Sequence, residues 1–350
     1  MMKVVTIVGA RPQFIKAAVV SPRLRQVAHE VLIHTGQHYD QTLSTVFFEH
    51  LPIPHPDYTL TAGSGTHGVQ TGRMLVDLDP ILQREAPDWV IVYGDTNSTV
   101  AGALAAVKMG IPVAHVEAGL RSFNRSMPEE INRVMTDHIA TRLYCPTQQA
   151  VHNLAQEGIR SGVKLTGDVM DTLVDQTPDN LAVLNRYGID SGQYILATVH
   201  RAQNTDDSGH LHSLLQAFMA LPKPVFWPMH PRTRQKIHEF QLDALLTPPI
   251  MVVDPVGYQE MITLERHAYA VVTDSGGVQR EACRVGTPTY ILREETEWGE
   301  LVATGQAVLT GWRTHDIVTA VLEQRARPKP AIHAYDPVAM ILEDLLRKEE

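Results

Sequence analysis

The sequence predicts an α/β protein of two Rossmann-like domains with an interdomain cleft, and three observations carry that expectation. At 350 residues the chain exceeds what one hydrophobic core ordinarily serves. Short β-rich apolar runs alternate with stretches of helical periodicity, the pattern of parallel strands covered by helices on both faces. Midway, in GDVMDTLVDQTPDN, the apolar rhythm breaks near Pro178, which marks a hinge at roughly residues 170–180.

In chain order the first-half strands are KVVTIV, VLIHT, WVIVY, IPVAHV and RLYCP, and the second-half strands are YILATV, PVFWPM, IMVV, AVVTD and PTYIL. These runs are continuously apolar, as strands buried on both faces should be. A second breaker-rich stretch, RPKPAIHAYDP, precedes a short closing helix, VAMILEDLLRKEE. The expected domains are residues 1–172, completed by the closing helix at 336–350, and residues 173–335. Sheets of this kind bind ligands outside the carboxyl ends of their strands, where the connections diverge, so the informative residues are those that follow strands.

Composition narrows the function. A formal net charge of −9 with no basic block argues against a nucleic-acid footprint or an anionic-membrane anchor, so an anionic ligand must be held by a few placed cations. No apolar run is long enough to span a bilayer. The start MMKVVTIVGARPQ reads as a buried strand entering a turn rather than a signal peptide, and the expected location is cytoplasmic. Cys145 and Cys283 are distant in sequence and outside any CxxC pair, and no HxxxH or HExxH spacing occurs. Neither a disulfide framework nor a metal site is expected.

Two glycine-bearing turns follow strands. In GARPQFIK, Gly9 suits a tight turn, Pro12 suits the first helical position, and Arg11 and Lys16 lie beside a helix N-terminus, an end that attracts phosphate. The motif lacks GxGxxG and a Walker lysine, and a surface pair of cations explains it equally well. In TDSGGVQREA, Ser275, Gly276 and Gly277 open a helix with unencumbered N–H groups that suit a diphosphate. Glu281 lies about one turn further in, where an acidic residue can hold ribose hydroxyls. A plain turn capped by Ser275 is the alternative.

Carboxylates gather in the first half: Asp95 in VYGDTNST, Glu117 in HVEAGLRS, and Glu129 with Glu130 in MPEEINR. Asp95 and Glu117 end neighbouring strands. At a separation of about 6 Å and an effective dielectric near 20 their repulsion is roughly 2.8 kcal/mol, or about two pKa units. That would keep one protonated near neutrality, as an acid–base set requires. Thr96, Asn97, Ser98 and Thr99 leave a structural role open for Asp95. In the second half, strands deliver His200-Arg201 and His230-Pro231-Arg232 to the same rim.

GARPQFIK, VYGDTNST, HVEAGLRS, PEEINR, the strand-end His-Arg and TDSGGVQREA, in this order, resemble the non-hydrolysing UDP-N-acetylglucosamine 2-epimerases over nearly the whole chain. The resemblance implies a glycosyltransferase-B-like fold, a homodimer, no metal or nicotinamide cofactor, and interdomain closure on a UDP-sugar. It implies Asp95, Glu117 and Glu129 as catalytic carboxylates with His200 in the same set, and Arg11, Lys16, Arg121 and Arg133 for substrate and phosphate. Ser275, Gly276, Gly277 and Glu281 would hold the UDP part. Gln37, His38, Arg73 and His230 resemble parts of an allosteric site that takes a second UDP-sugar in some members. The chain departs from the common pattern at His200-Arg201-Ala202-Gln203, at Trp298, and at Val256 and Met261. TEWGEL and DPVGYQEM are similar to the sister branch that acts on UDP-2,3-diacetamido-2,3-dideoxy-glucuronate.

The implied chemistry asks for this division of residues. The hydrogen on carbon 2 is not acidic beside an acetal carbon and an amide nitrogen. Departure of UDP from carbon 1 builds oxocarbenium character, which lets a carboxylate remove that hydrogen; return of the proton to the other face and re-addition of UDP give the epimer. Leaving-group charge needs cations and helix N-termini, and proton traffic needs carboxyls in opposite protonation states. A glycosyltransferase would share the nucleotide end without needing the carboxylate set. A turnover-deficient UDP-sugar sensor would bind without exchange at carbon 2, and a hydrolysing epimerase would release the free sugar.

Overall fold

The computed structural model describes residues 1–37, 53–327 and 336–347, and of Arg11 the backbone alone. The chain divides into two compact units, Met1–Leu173 with His333–Glu350, and Val174–Ile332. The division falls within the helix Val169–Gln176.

The amino-terminal unit is built on strands β1 (Lys3–Val8), β2 (His29–His34), β3 (Tyr58–Thr59), β4 (Trp89–Tyr93), β5 (Val113–Val116), β6 (Arg142–Cys145) and β7 (Val163–Leu165). They form one parallel sheet in the order β3-β2-β1-β4-β5-β6-β7. The order reverses between β1 and β4, so the loops after these two strands diverge and open a crevice at their carboxyl ends. Alternate residues of β1 serve opposite faces. Val4 and Val8 pack with Phe14, Ala18 and Leu24 of the helix Arg11–Val27 and with Val338, Ile341 and Leu345 of the closing helix Pro337–Leu346. Val5 and Ile7 pack with Met74, Leu78 and Leu82 of the helix His67–Glu85 and with Ala101 and Ala105 of the helix Asn97–Lys108. Each such side chain, fully buried, contributes about 1.5–3 kcal/mol relative to exposure.

The carboxyl-terminal unit repeats the plan with β8 (Ile195–Thr198), β9 (Val225–Pro228), β10 (Ile250–Val253), β11 (Ala270–Thr273), β12 (Thr289–Ile291) and β13 (Ala307–Leu309), ordered β10-β9-β8-β11-β12-β13 and parallel throughout. Its reversal lies between β8 and β11, so the loops bearing His200 and Ser275 flank that point. One face of β8, with Ile195 and Ala197, meets Leu211, Leu214 and Phe218 of the helix Ser208–Ala220. The other, with Leu196, meets Leu264 and Ala282 of the helices Tyr258–His267 and Gly276–Arg284. Both units are therefore Rossmann-like, as the alternation of apolar runs predicts. Among the described residues no helix is long and apolar enough to cross a membrane.

Candidate active site

In the amino-terminal unit the turn after β1 is fixed by Gln13. Its Oε1 accepts from the Gly9 and Ala10 N–H groups at 2.8 and 3.1 Å, while its Nε2 donates to the Tyr93 carbonyl and Thr99 Oγ1. One amide thus ties the β1 turn to the β4 turn. Gly9 is required here by crowding rather than by a tight turn: a Cβ would sit 2.0 Å from Thr35 Oγ1 and 2.1 Å from Ser98 Oγ. Two turns into the helix, Lys16 Nζ lies 2.5 Å from Glu117 Oε2, with both side chains largely out of solvent. Gly94, at φ +61°, brings the β4 loop alongside the pair.

Glu117 occupies the left-handed region at φ +73°, a conformation that costs a non-glycine residue energy and persists only where its surroundings fix it. What fixes it is the Tyr144 carbonyl at the end of β6, which accepts from both the Glu117 and Ala118 N–H groups at 3.1 Å. Burial pushes the Glu117 carboxyl up to about 7, with Lys16 opposing and Asp168 and Asp95 adding to the rise. Burial works against the Lys16 charge too, but Glu117, Asp168 and Asp95 outweigh it and hold the ammonium above its ordinary pKa.

Asp95 is paired with Arg133, whose other nitrogen reaches Glu130 Oε2 at 2.8 Å. Glu130 in turn accepts from Ser122 N–H, Ser122 Oγ and Phe123 N–H. It is an internal anchor for the loop leading into the helix Pro128–Ile139. Glu129, on the same first turn, is half-buried and has no hydrogen-bond partner among the described residues. The helix's Asn132 donates to the Asp95 carbonyl and to Asn97 Oδ1, which holds the Asp95 backbone in place.

Arg121 is not brought into this cluster. Its guanidinium is enclosed, donating to Asp137 Oδ2 at 2.6 Å, to both oxygens of Glu157, and to the Leu120 carbonyl. Asp137 also receives the Gly119 N–H and pairs with His115 Nδ1 at 2.7 Å, while His115 Nε2 lies 2.7 Å from the Gly94 carbonyl. Both ring nitrogens of His115 thus face an acceptor, which fixes the orientation of the ring. Although burial opposes it, the charges and hydrogen bonds of His115 and Arg121 keep the Asp137 carboxyl below its usual range. The network fastens the loop that displays Glu117.

The carboxyl-terminal unit builds its turn around Asp274, buried at the end of β11. Its carboxylate accepts from the His200 and Arg201 N–H groups and from Asn204 Nδ2 at 3.0–3.1 Å, and His200 Nδ1 lies 3.4 Å away. The next residue, Ser275, caps the helix Gly276–Arg284 by accepting from Val278 N–H. The first N–H groups of a helix have no acceptor inside it, so those at Gly276 and Gly277 are free to meet an anion. A Cβ at Gly276 would fall 2.3 Å from Glu297 Oε1, whereas one at Gly277 would meet nothing within 4 Å. Glu297 is held by Arg293 at 2.9 Å, with Arg201 3.9 Å away. Glu281 is 6% exposed, one turn along. Trp298 is buried, and the Arg280 guanidinium lies 5.3 Å from its ring centroid.

Lys16, Asp95, Glu117 and Arg133 therefore share one charged cluster, and His200, Ser275, Gly276 and Gly277 share one strand-end turn. Arg11's side chain and His38 lie outside the described residues. Gln37 Oε1 accepts from Ser98, Arg73 donates to the Ala62 and Ser64 carbonyls, and His230 stands 6.4 Å from the His200 ring. Sequence reasoning passed over Gln13, Asp137, Asp168 and Asp274, which act on the site through other residues. Of these only Asp274, directly ahead of Ser275 at a strand end, has a position in the sequence that would have singled it out. Among the described residues no group of three or more His, Cys, Asp or Glu side chains is arranged to hold a metal.

A family model described as UDP-N-acetylglucosamine 2-epimerase matches residues 23–337. The chain is 49% identical to a UDP-N-acetylglucosamine 2-epimerase homolog of Methanococcus maripaludis, covering 96% of this chain and 95% of that protein. It is 48% identical to the UDP-2,3-diacetamido-2,3-dideoxy-D-glucuronate 2-epimerase of Pseudomonas aeruginosa, covering 89% of this chain and 88% of that one. The crystal structure of Methanocaldococcus jannaschii UDP-GlcNAc 2-epimerase in complex with UDP-GlcNAc and UDP superposes with a TM-score of 0.91 at 39% identity, over 98% of this chain and 99% of that one. Two parallel Rossmann-like sheets, a strand-end carboxylate cluster and this run of similarities lead to one conclusion: the chain belongs to the UDP-N-acetylglucosamine 2-epimerase family.

Proposed function

We infer that the chain inverts carbon 2 of UDP-N-acetylglucosamine to give UDP-N-acetylmannosamine, by eliminating UDP and adding it back. The observation that carries this reading is the buried Lys16–Glu117 pair, in which a carboxyl titrating at about 7 is poised both to accept and to return a proton. The amino-terminal unit supplies the proton chemistry. Glu117 and Glu129 are the exchanging carboxyls, the second half-buried on the first turn of the helix Pro128–Ile139. Asp95, oriented by Arg133 and Asn132, contributes negative charge beside the developing oxocarbenium.

The carboxyl-terminal unit holds the nucleotide. Gly276 and Gly277 N–H groups and His200 receive the diphosphate, and Glu281 receives the ribose hydroxyls; Arg11 and Lys16 add positive charge toward the phosphates. We further propose a homodimer working in the cytoplasm. Val69, Val76, Ile131 and Met135, apolar and exposed on two helices of the amino-terminal unit, support self-association. Cys145 and Cys283, free and buried, suit a reducing compartment.

Incubation in deuterated water with each of two UDP-sugars, followed by NMR, tests the assignment. Deuterium at carbon 2 of UDP-N-acetylglucosamine and appearance of the intact manno epimer are expected. Because one relative at 48% identity is named for the diacetamido-glucuronate, that UDP-sugar is the second substrate to assay. Transfer to an acceptor, release of free N-acetylmannosamine, or binding without exchange would each overturn the reading.

A further inference from the structure

Three buried amides stand behind Asp95. Gln70, Asn97 and Asn132 keep 8%, 3% and 9% of their surface, and amides so far from water cost stability unless their hydrogen bonds are made. Here they are made. Gln70, near the start of the helix His67–Glu85, donates through Nε2 to the Gly63 and Gln37 carbonyls at 2.8 and 3.2 Å. Its Oε1 accepts from Asn97 Nδ2 at 2.8 Å, and the same nitrogen lies 3.0 Å from His67 Nδ1. Asn97 Oδ1 accepts from Asn132 Nδ2 at 3.1 Å, and Asn132 Nδ2 also donates to the Asp95 carbonyl at 3.0 Å. Both ends of this chain are backbone carbonyls, which only accept. The orientation of every amide is therefore dictated. Gln70 turns its nitrogen to the carbonyls and its oxygen to Asn97, Asn132 turns its nitrogen to Asp95, and Asn97 donates on one side and accepts on the other. A carboxylate or a hydrocarbon in the middle position breaks the sequence.

We propose that Gln70, Asn97 and Asn132 are positioning residues of the epimerisation: a one-way amide relay that sets Asp95 and the helix Pro128–Ile139 in register with each other. The inference rests on the proposed epimerase reading for its consequence in turnover, while the relay itself stands on its hydrogen bonds. Asn132 and Arg133 are consecutive, the first on the Asp95 carbonyl and the second on its carboxylate, so one helix holds Asp95 at two points. Glu129 precedes them by three and four residues, on the same face of that helix. Whatever fixes Asn132 thus fixes the spacing of Asp95 and Glu129. The far end of the relay is tied down as well, because Gln37 Oε1 accepts from the Ser98 N–H and Oγ beside Asn97. Proton exchange at one carbon is sensitive to such spacing, and a displacement of about 1 Å from a change remote from the chemistry can cost about 10² in rate.

Gln70→Met tests this, because it keeps the length of the side chain and removes the amide at the end of the relay away from Asp95. The full chain is labelled with 15N-asparagine, and the Asn132 side-chain amide is assigned by its loss in Asn132→Asp. In Gln70→Met the Asn132 signals should shift and exchange faster with water. With them kcat should fall by about 10- to 100-fold while KM stays within about threefold of the parent, the split expected when placement rather than binding is lost. Asn97→Asp is the second variant should the first fold poorly. It still accepts from Asn132 but sets a carboxylate oxygen against Gln70 Oε1, and it should show the same split. A folded variant with parental kcat would overturn the proposal, as would Asn132 signals that stay in place. So would a kcat that returns to the parental value on cooling to where parent and variant are equally folded, which would reduce the relay to core packing. The spectra need no substrate, so a parent protein that fails to exchange deuterium would sink the epimerase reading and still leave the relay decided.

Discussion

The two strand-end sites place opposite kinds of chemistry at the same fold position. Around Lys16 and Glu117 the amino-terminal unit crowds charged side chains together, most of them locked by a partner, with one carboxyl pushed up to about 7. At Ser275 the carboxyl-terminal unit leaves backbone N–H groups uncovered and buries the Asp274 carboxylate as the clamp that holds the His200 loop. A site that moves protons needs side chains whose charge can change; a site that holds a diphosphate needs donors whose charge cannot. On the proposed reading, this contrast divides proton chemistry from nucleotide binding in a chain whose two sheets share one strand order.

Removing chemistry from the first site should cost the most. Glu117→Gln is expected to lower kcat by about 10² to 10⁴, the usual weight of a positioned acid–base group, while UDP affinity measured calorimetrically stays within about tenfold of the parent. Full deuterium exchange in this variant would take Glu117 out of the proton path and erase the distinction between the units. In the second site the effect should be on binding instead. Gly276→Ala drives a methyl into Glu297 Oε1, displacing a side chain that Arg293 holds, at a cost of about 1–3 kcal/mol in stability. A measurable loss of UDP affinity is expected with it. Gly277→Ala meets open space and should keep the parent melting temperature, so equal destabilisation by both would show that the turn is not shaped as described. Asp274→Asn should come next: it weakens bonds from two backbone N–H groups and Asn204, by about 1–3 kcal/mol, and loosens UDP binding without moving the pH–rate profile. A shifted profile would mean that Asp274 takes part in proton transfer.

How much of this was legible in the sequence follows from where each signal lies. The central strands announce themselves because both faces are buried: WVIVY, VAHV and AVVT are apolar throughout. The missed strands are β3, β7 and β13, each two or three residues long and each at the edge of its sheet, where one side has no neighbour and partial exposure dilutes the apolar pattern. Likewise Glu117 and Ser275 are readable because they end strands, but the partners that tune them are not. Lys16 meets Glu117 across 101 positions of chain, Asp168 arrives from the end of the unit, and Asp137 acts through His115 and Arg121. Single-sequence patterns encode local period and turn chemistry; they do not encode which distant charges the fold will bring together. Arg121 shows the other side of that limit, since its motif neighbours marked it for substrate and the fold spends it on Asp137 and Glu157.

The smallest expected effect concerns the carboxyl-terminal unit, and it tests whether carboxylate crowding there serves proton transfer at all. Glu265 is fully buried on the helix Tyr258–His267, and among the described residues neither of its oxygens has a hydrogen-bond partner. Burial raises its pKa well above the ordinary value, and the neighbouring Glu281 carboxylate raises it further against a small opposing effect of Arg266. The folded state therefore keeps a proton that the unfolded chain gives up near pH 4.3. Above that point the unfolded state binds fewer protons, so the stability Glu265 allows at low pH declines as pH rises toward its folded pKa. Glutamine matches the neutral acid in size and polarity and does not titrate. Glu265→Gln should thus match the parent near pH 4 and exceed it at pH 8, by about 1–3 kcal/mol at most for a buried group of this kind, with carbon-2 exchange at parental rates. Melting curves across pH decide the matter: a stability difference independent of pH would show that Glu265 does not titrate with folding, and lost exchange would place a second proton-handling carboxyl in the half assigned to binding.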